Sequence, residues 1–270
     1  MSTTEIPAAL VKELRDQTGA GMMDAKRALQ EASGDLEAAR KLLRERGLAA
    51  AGKRAGRETT EGIVLVRIEG HSGAIAAVGC ETEPVARNDE FGAFAERVLE
   101  VVEEGGPEAV ESLEQERAEV AGRLQENIVV RGAGRMEAGE GESLGEYVHP
   151  PANKIGVLLR VRGDDAPAIR RLAMHIASAA PRWAGREDVP DDVVAAEREV
   201  FLRSDEVQSK PEQAREKIVE GMLAKRFFGA YPGGVLAEQE WIHESGKKVA
   251  QALEEARLDV IEFVRYALAE

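Results

Sequence analysis

Twice along this chain, two short apolar runs joined by a tight turn lead into an amphipathic helical pattern. That repeat restricts the fold more than any other feature. The first copy pairs GIVLVRIEG (Gly62 to Gly70) with GAIAAVG (Gly73 to Gly79) across His71-Ser72, and FGAFAERVLEVV follows. The second pairs SLGEYVHP (Ser143 to Pro150) with KIGVLLRVRG (Lys154 to Gly163), and IRRLAMHIASAA follows. Short apolar runs bounded by turn residues are strand signals, and adjacent runs of this kind form hairpins. Hairpins feeding helices predict an α+β body of two similar subdomains with antiparallel sheets. At 270 residues, 43% of them apolar, the chain is long enough to give each a core.

The segments around this body differ in pattern. Residues 1–47 predict a three-helix module of the ubiquitin-associated type. Ile6, Leu10 and Leu14 recur at a spacing of four and mark one inner face. Thr18 to Gly21 stops the first helix, and Ala25, Ala28 and Leu29 face inward on the second. Asp35 is a candidate cap for the third, which Gly47 is expected to end. Residues 48–60 are small, basic and glycine-punctuated and predict a linker that can carry some helix. Residues 61–140 form the first core subdomain, with helices near 88–104 and 107–126. A strand follows at 127–138, where Gly132 and Gly134 mark a bend or bulge. Residues 141–190 begin the second subdomain. Residues 191–229 are expected to be a projecting helical hairpin, broken at Ser209-Lys210-Pro211. Its seam of Val193, Val194, Glu197, Val200 and Phe201 against Ile218, Met222 and Leu223 is thin, as suits an arm in solvent. Residues 230–270 return to the second subdomain and close with LDVIEFVRYAL as an edge strand.

Charge narrows the function classes. Acids outnumber bases 50 to 36, for a net charge of −14. Residues 1–57 run the other way, with 11 Lys and Arg against 8 Asp and Glu, so the remainder carries −17. An acidic body disfavours a broad nucleic-acid surface and suits a protein that meets a basic patch on another protein. Cys80 is the single cysteine, which rules out an internal disulfide and fits a reducing compartment. MSTTEIPAALVKELRD has neither a secretory nor a transit pattern, and no apolar run approaches a membrane span. A cytoplasmic protein is therefore expected.

No catalytic or metal-binding constellation is present in the sequence pattern. His71, His149, His175 and His243 include no i, i+4 pair, and the lone cysteine has no partner motif. His71 sits in a hairpin turn, and His175 in LAMHIA is expected to be a satisfied, partly buried histidine. His149 precedes Pro150-Pro151 in a stiff surface turn and is open to a contact role. GAGRMEAGEGESLG lacks the P-loop lysine, TGAGMM follows no strand, and no serine stands in GxSxG. The expectation is a protein without cofactor or enzymatic activity that handles another protein. Met22 and Met23 fit it if at least one faces out, and ordinary core packing is the alternative.

CETEPVARNDEF, Cys80 to Phe91, joins a buried strand to an amphipathic helix. Pro84 fixes its own φ, lacks a donor and biases Glu83 away from the helical region, so a presented, shaped loop is predicted. Function concentrates on such loops. The plainer alternative is a charged connection with Asn88 or Asp89 capping the next helix.

VKELRDQTGAGMMDAKRALQEASGDLEAARKLLRERG resembles the amino-terminal domain of the bacterial elongation factor Ts family. AGKRAGRETTEG, CETEPVARNDEF, QENIVVR, KIGVLLRVRG, LAMHIA and KPEQAREKIVEGML continue the resemblance over residues 5–268. It implies guanine nucleotide exchange on elongation factor Tu, the GTPase that delivers aminoacyl-tRNA to the ribosome. Direct contact with nucleic acid, a membrane or a small-molecule substrate is not implied. By the same resemblance the helical module docks on the GTPase domain through Leu14, Met22 and Met23. Thr82, Glu83, Pro84 and Val85 stand where the family has Thr-Asp-Phe-Val, the motif that disturbs the Mg²⁺ and β-phosphate site. His149 reaches another part of the partner, and the hairpin around Lys210-Pro211 varies in role. Glu83 keeps the family's charge on a longer arm, while Pro84 replaces its aromatic ring. Two outcomes stay open: an exchange factor, or a non-exchanging, chaperone-like partner that stabilises elongation factor Tu.

Overall fold

The computed structural model describes residues 6–54 and 56–268. Three helices come first, α1 (Ala8–Thr18), α2 (Met22–Glu31) and α3 (Leu36–Arg54). Strands β1 (Glu61–Glu69) and β2 (Ser72–Cys80) lead to a one-turn α4 (Glu83–Ala86) and then α5 (Asp89–Gly105). A 3-10 segment, Pro107–Leu113, opens α6 (Glu114–Leu124), and β3 (Val129–Glu137) follows. The second half runs β4 (Glu142–Val148), β5 (Ile155–Arg162), α7 (Ala166–Ala179), α8 (Asp191–Arg203), α9 (Asp205–Gln208) and α10 (Glu212–Met222). A π-helical segment, Leu223–Phe228, continues α10, and α11 (Val249–Ala256) and β6 (Asp259–Ala267) close the chain.

The two sheets share one plan, and the fold is α+β as the sequence pattern predicts. Their strand orders are β1-β2-β3 and β4-β5-β6. In each, a hairpin is followed by helices, and the third strand returns beside the second. β5 is antiparallel to both neighbours, with Tyr147 opposite Val157 and Leu159 opposite Phe263. β6 lies at the edge, and its register shifts once, between Arg160 and Val161. β3 spans Val129–Glu137 and includes both Gly132 and Gly134. Gly134 permits close packing, since a Cβ there would lie 3.2 Å from Cγ2 of Ile75.

Contacts divide the chain into two compact units. One holds the described residues through Leu65 with Ala76–Ala133 and Leu268; the other holds Val66–Ile75 and Gly134–Ala267. The division therefore departs from a boundary at 140. Gly73 shows why, because a Cβ on it would sit 2.9 Å from Cδ1 of Leu158 and 3.1 Å from Cδ1 of Leu144. In the second unit Val157, Leu159 and Val161 of β5 pack with Ile169, Leu172 and Ile176 of α7, closed by Leu236, Trp241, Val249 and Leu258.

The amino-terminal helices follow local signals closely, with one exception. Gly19 ends α1 at φ +66°, a left-handed conformation that glycine adopts without steric cost. Asp35 caps α3 by accepting a bond from Ala38 N at 3.0 Å. Val11, Leu14, Ala25, Ala28, Leu29 and Ala39 form a small buried cluster between the helices. The exception is Gly47, which does not end α3; the helix runs on to Arg54, through much of the expected linker. Tertiary packing explains it. Gly47 faces Gly122 of α6 so closely that a Cβ on Gly122 would lie 2.9 Å from Cα of Gly47, and Arg44 pairs with Glu119 at 2.7 Å. This contact outweighs the roughly 1 kcal/mol that glycine costs inside a helix.

The helical hairpin is also better packed than its sequence suggests. Val189, Val207, Val219, Met222, Leu223, Phe228 and Val235 form a buried cluster, joined by Trp183, Val193, Val194, Phe201 and Phe227. Val200, assigned to the seam, is 62% exposed. The seam thus turns on aromatic groups at the hairpin's root, where Arg186 also lies over the Phe228 ring at 4.5 Å. Among the described residues, no helix is long and apolar enough to cross a membrane.

Candidate functional site

β2 delivers Cys80 into the core with its side chain buried, and the chain then turns outward. Thr82 is extended, at φ −130° and ψ 151°, and α4 starts at Glu83. Pro84 does not keep Glu83 out of the helix. It occupies the first turn, where its missing N–H has no intrahelical acceptor to serve. Bonds from Ala86 N to Thr82 O (3.1 Å) and from Arg87 N to Glu83 O (3.2 Å) outweigh the steric bias. The expected loop is therefore a single helical turn. Thr82, Glu83 and Pro84 are exposed, and Val85 is half-buried. Asn88 caps α5, its Oδ1 accepting from Glu90 N at 2.9 Å, and Phe91, Phe94 and Ala95 anchor that helix in the core.

The turn is held by residues from the corner between α6 and β3. Oε2 of Glu126 accepts from Glu81 N and from Thr82 N, each at 3.0 Å, and its Oε1 accepts from the Thr82 hydroxyl. The grip is mutual. Oε1 of Glu81 accepts from Asn127 N at 2.7 Å, and Arg57 donates to the Glu81 carboxylate at 3.2 Å. Asn127 is buried and closes the circuit with a 2.8 Å bond from Nδ2 to Arg57 O. Two carboxylates thus sit in one corner, each supplied with backbone donors or a guanidinium. Glu83, by contrast, pairs with exposed Arg87 one turn on, at 2.5 Å, an interaction of little worth in water. Arg57 and Glu126 lie within AGKRAGRETTEG and QENIVVR, but neither segment carries a hint that Glu126 bonds a residue 44 positions earlier.

The other candidates separate clearly. Met22 and Met23 at the start of α2 are 49% and 60% exposed, so both face out. Leu14 is fully buried among Val11, Ala25 and Leu29 and has no surface to offer a partner; it is a core residue of the module. His149 is exposed after β4, its Nδ1 2.9 Å from the Tyr147 hydroxyl and its N–H bonded to Ile155 O. His175 is buried in α7 and paired with Gln239 at 3.0 Å. Among the described residues, no three His, Cys, Asp or Glu side chains converge as a metal site.

Comparison with known proteins agrees with this architecture. The family model described as Elongation factor TS matches residues 81–270. An elongation factor Ts of Psychromonas ingrahamii is 42% identical over 275 residues, covering 98% of this chain and 91% of the relative. Those of Serratia proteamaculans and Klebsiella pneumoniae are each 40% identical over 270 residues, covering 98% of this chain and 92% of the relative. A family match over most of the chain, joined to nearly end-to-end similarity, shows that this chain belongs to the elongation factor Ts family.

Proposed function

We propose that this protein promotes release of GDP from elongation factor Tu, with the Thr82–Val85 turn acting on the Mg²⁺ and phosphate site. The observation that carries the proposal is that turn: it is exposed, helical and gripped from behind by Glu126, at the position of the family's working motif. A GTPase holds GDP through Mg²⁺ and through donors to the phosphates. An exchange factor needs no covalent chemistry. It must bind the nucleotide-free partner more tightly than the GDP-bound one, and by linkage GDP then binds the complex more weakly by the same factor. A rigid turn that intrudes where the metal or a phosphate-binding peptide sits supplies that difference. Exposed Met22 and Met23 give the helical module an adaptable apolar contact for the GTPase domain. His149, with Tyr147 behind it, provides a further contact point on the second unit. Leu14 acts only from within, by keeping α1 packed against α2.

The test is nucleotide release. Elongation factor Tu from the same organism is loaded with fluorescent GDP and mixed with this protein and excess unlabelled nucleotide. Accelerated release is expected. Tight binding without acceleration would overturn the proposal and leave a non-exchanging, stabilising partner. Pro84→Phe belongs in the same assay. An unchanged rate is expected, since the shape of the turn performs the displacement; a faster rate would assign the missing ring a limiting role.

A further inference from the structure

We infer that Glu126 is a positioning residue for nucleotide exchange: it sets the Thr82–Val85 turn in its working geometry without touching the partner. The inference rests on the exchange reading above. A four-residue helix is not stable by itself, because its first turn fixes several dihedrals for one or two bonds. A threonine at its N-cap ordinarily helps by accepting a bond from the helix's own N–H groups. Thr82 does not; no side-chain cap bond is formed within α4. Its hydroxyl is turned to Glu126 instead, and so are its N–H and that of Glu81. The orientation of α4 is therefore determined from the α6–β3 corner. The Glu81 carboxylate is turned elsewhere, accepting from Asn127 N and Arg57. A turn held this way reaches the partner already ordered, so binding energy goes into displacing the metal rather than into shaping α4.

Removing the grip acts on the difference between two affinities. The turn intrudes only when nucleotide leaves, so its preorganisation favours the nucleotide-free complex over the GDP complex. Affinity for elongation factor Tu is measured in both states, for the wild type, Glu126→Gln and Glu126→Ala. Thermal unfolding of each variant is followed alongside. The ratio of the two affinities is expected to fall about tenfold in Glu126→Ala, the scale of losing one or two charge-assisted bonds. Glu126→Gln keeps the length and one acceptor oxygen and should recover part of the ratio and of the maximal release rate. A merely structural role would weaken both complexes in proportion and leave the ratio unchanged; that result, or wild-type ratios in both variants, overturns the inference. If Glu126→Ala does not fold, Glu126→Gln decides by the same ratio. A wild-type ratio of one would instead sink the exchange reading itself, which separates the two failures.

Discussion

His175 shows how one buried polar residue can be fully accounted for. The Nε2 of Gln239 donates to Ala179 O at 3.2 Å and to Ala230 O at 3.0 Å, and also to Gly233 O. The Gln239 oxygen must then face His175, so the proton sits on Nε2 of the imidazole. Nδ1 is left to accept, at 3.4 Å, from Ile242 N, and Trp241 stacks on the ring at 5.2 Å. Only the neutral ring fits this arrangement. Burial pulls the His175 pKa down to about 4; nearby His243 pulls the same way, and the Gln239 bond opposes both. Below about pH 6.5 the unfolded chain takes up a proton that the folded chain refuses until about pH 4. Stability is thus full above that window and is lost as pH falls through it, by about 3 kcal/mol. Urea unfolding at a series of pH values is expected to show this slope, and His175→Asn should remove that share of it. Equal slopes in the two proteins would refute the assignment. The type of environment around His175 was legible from LAMHIA, but Gln239, 64 residues on, was not. Glu126 escaped for the same reason, since a bond between distant residues leaves no local pattern. At Leu14 the four-residue spacing already placed the side chain inward with Leu10, and the structure follows that spacing rather than a surface role.

At the scale of elements, α3 marks where local rules end. Glycine lowers helix propensity, so stopping α3 at Gly47 was sound as local physics. Packing decided otherwise, because the absent Cβ on both Gly47 and Gly122 lets α3 and α6 approach backbone to backbone. The two glycines are not equivalent. A Cβ on Gly122 would meet Gly47 Cα at 2.9 Å and its carbonyl oxygen at 3.2 Å, both backbone atoms with little freedom to yield. A Cβ on Gly47 would meet only Gly122 Cα, at an ordinary 3.7 Å. Gly122→Ala should therefore lower stability by about 1–3 kcal/mol through overpacking. Gly47→Ala should be neutral or stabilising by up to about 1 kcal/mol through helix propensity. Thermal melts of the two variants check this, and equal shifts would refute the close crossing. The hairpin teaches a similar lesson. Its helices were legible from period and from Pro211, and so was most of its seam, Val193, Val194, Phe201, Ile218, Met222 and Leu223; Trp183 and Val235 were not, because they lie outside the segment they help to bury.

For the whole molecule, the repeated hairpin-to-helix pattern was enough to foresee two sheets of one plan. What it could not apportion was how stability is shared along the chain. Both tryptophans, Trp183 and Trp241, belong to the second unit, each packed in a cluster of large apolar side chains. The amino-terminal helices depend on six buried residues, three of them alanines, with Ile6, Leu10, Leu36 and Leu43 partly covered around them. Burial of alanine removes little apolar area, so this cluster contributes far less than the core between β5 and α7. Unfolding should then not be a single all-or-none event. In a urea titration, helical ellipticity is expected to begin falling before tryptophan fluorescence changes, because the first probe sees α1–α3 and the second does not. The contact of α3 with α6 is what ties those helices to the rest of their unit, so Gly122→Ala should widen the gap between the two curves. Coincident curves in the wild type would show that the small cluster is supported as strongly as the large ones, and would place its stability in the α3–α6 crossing rather than in its own core.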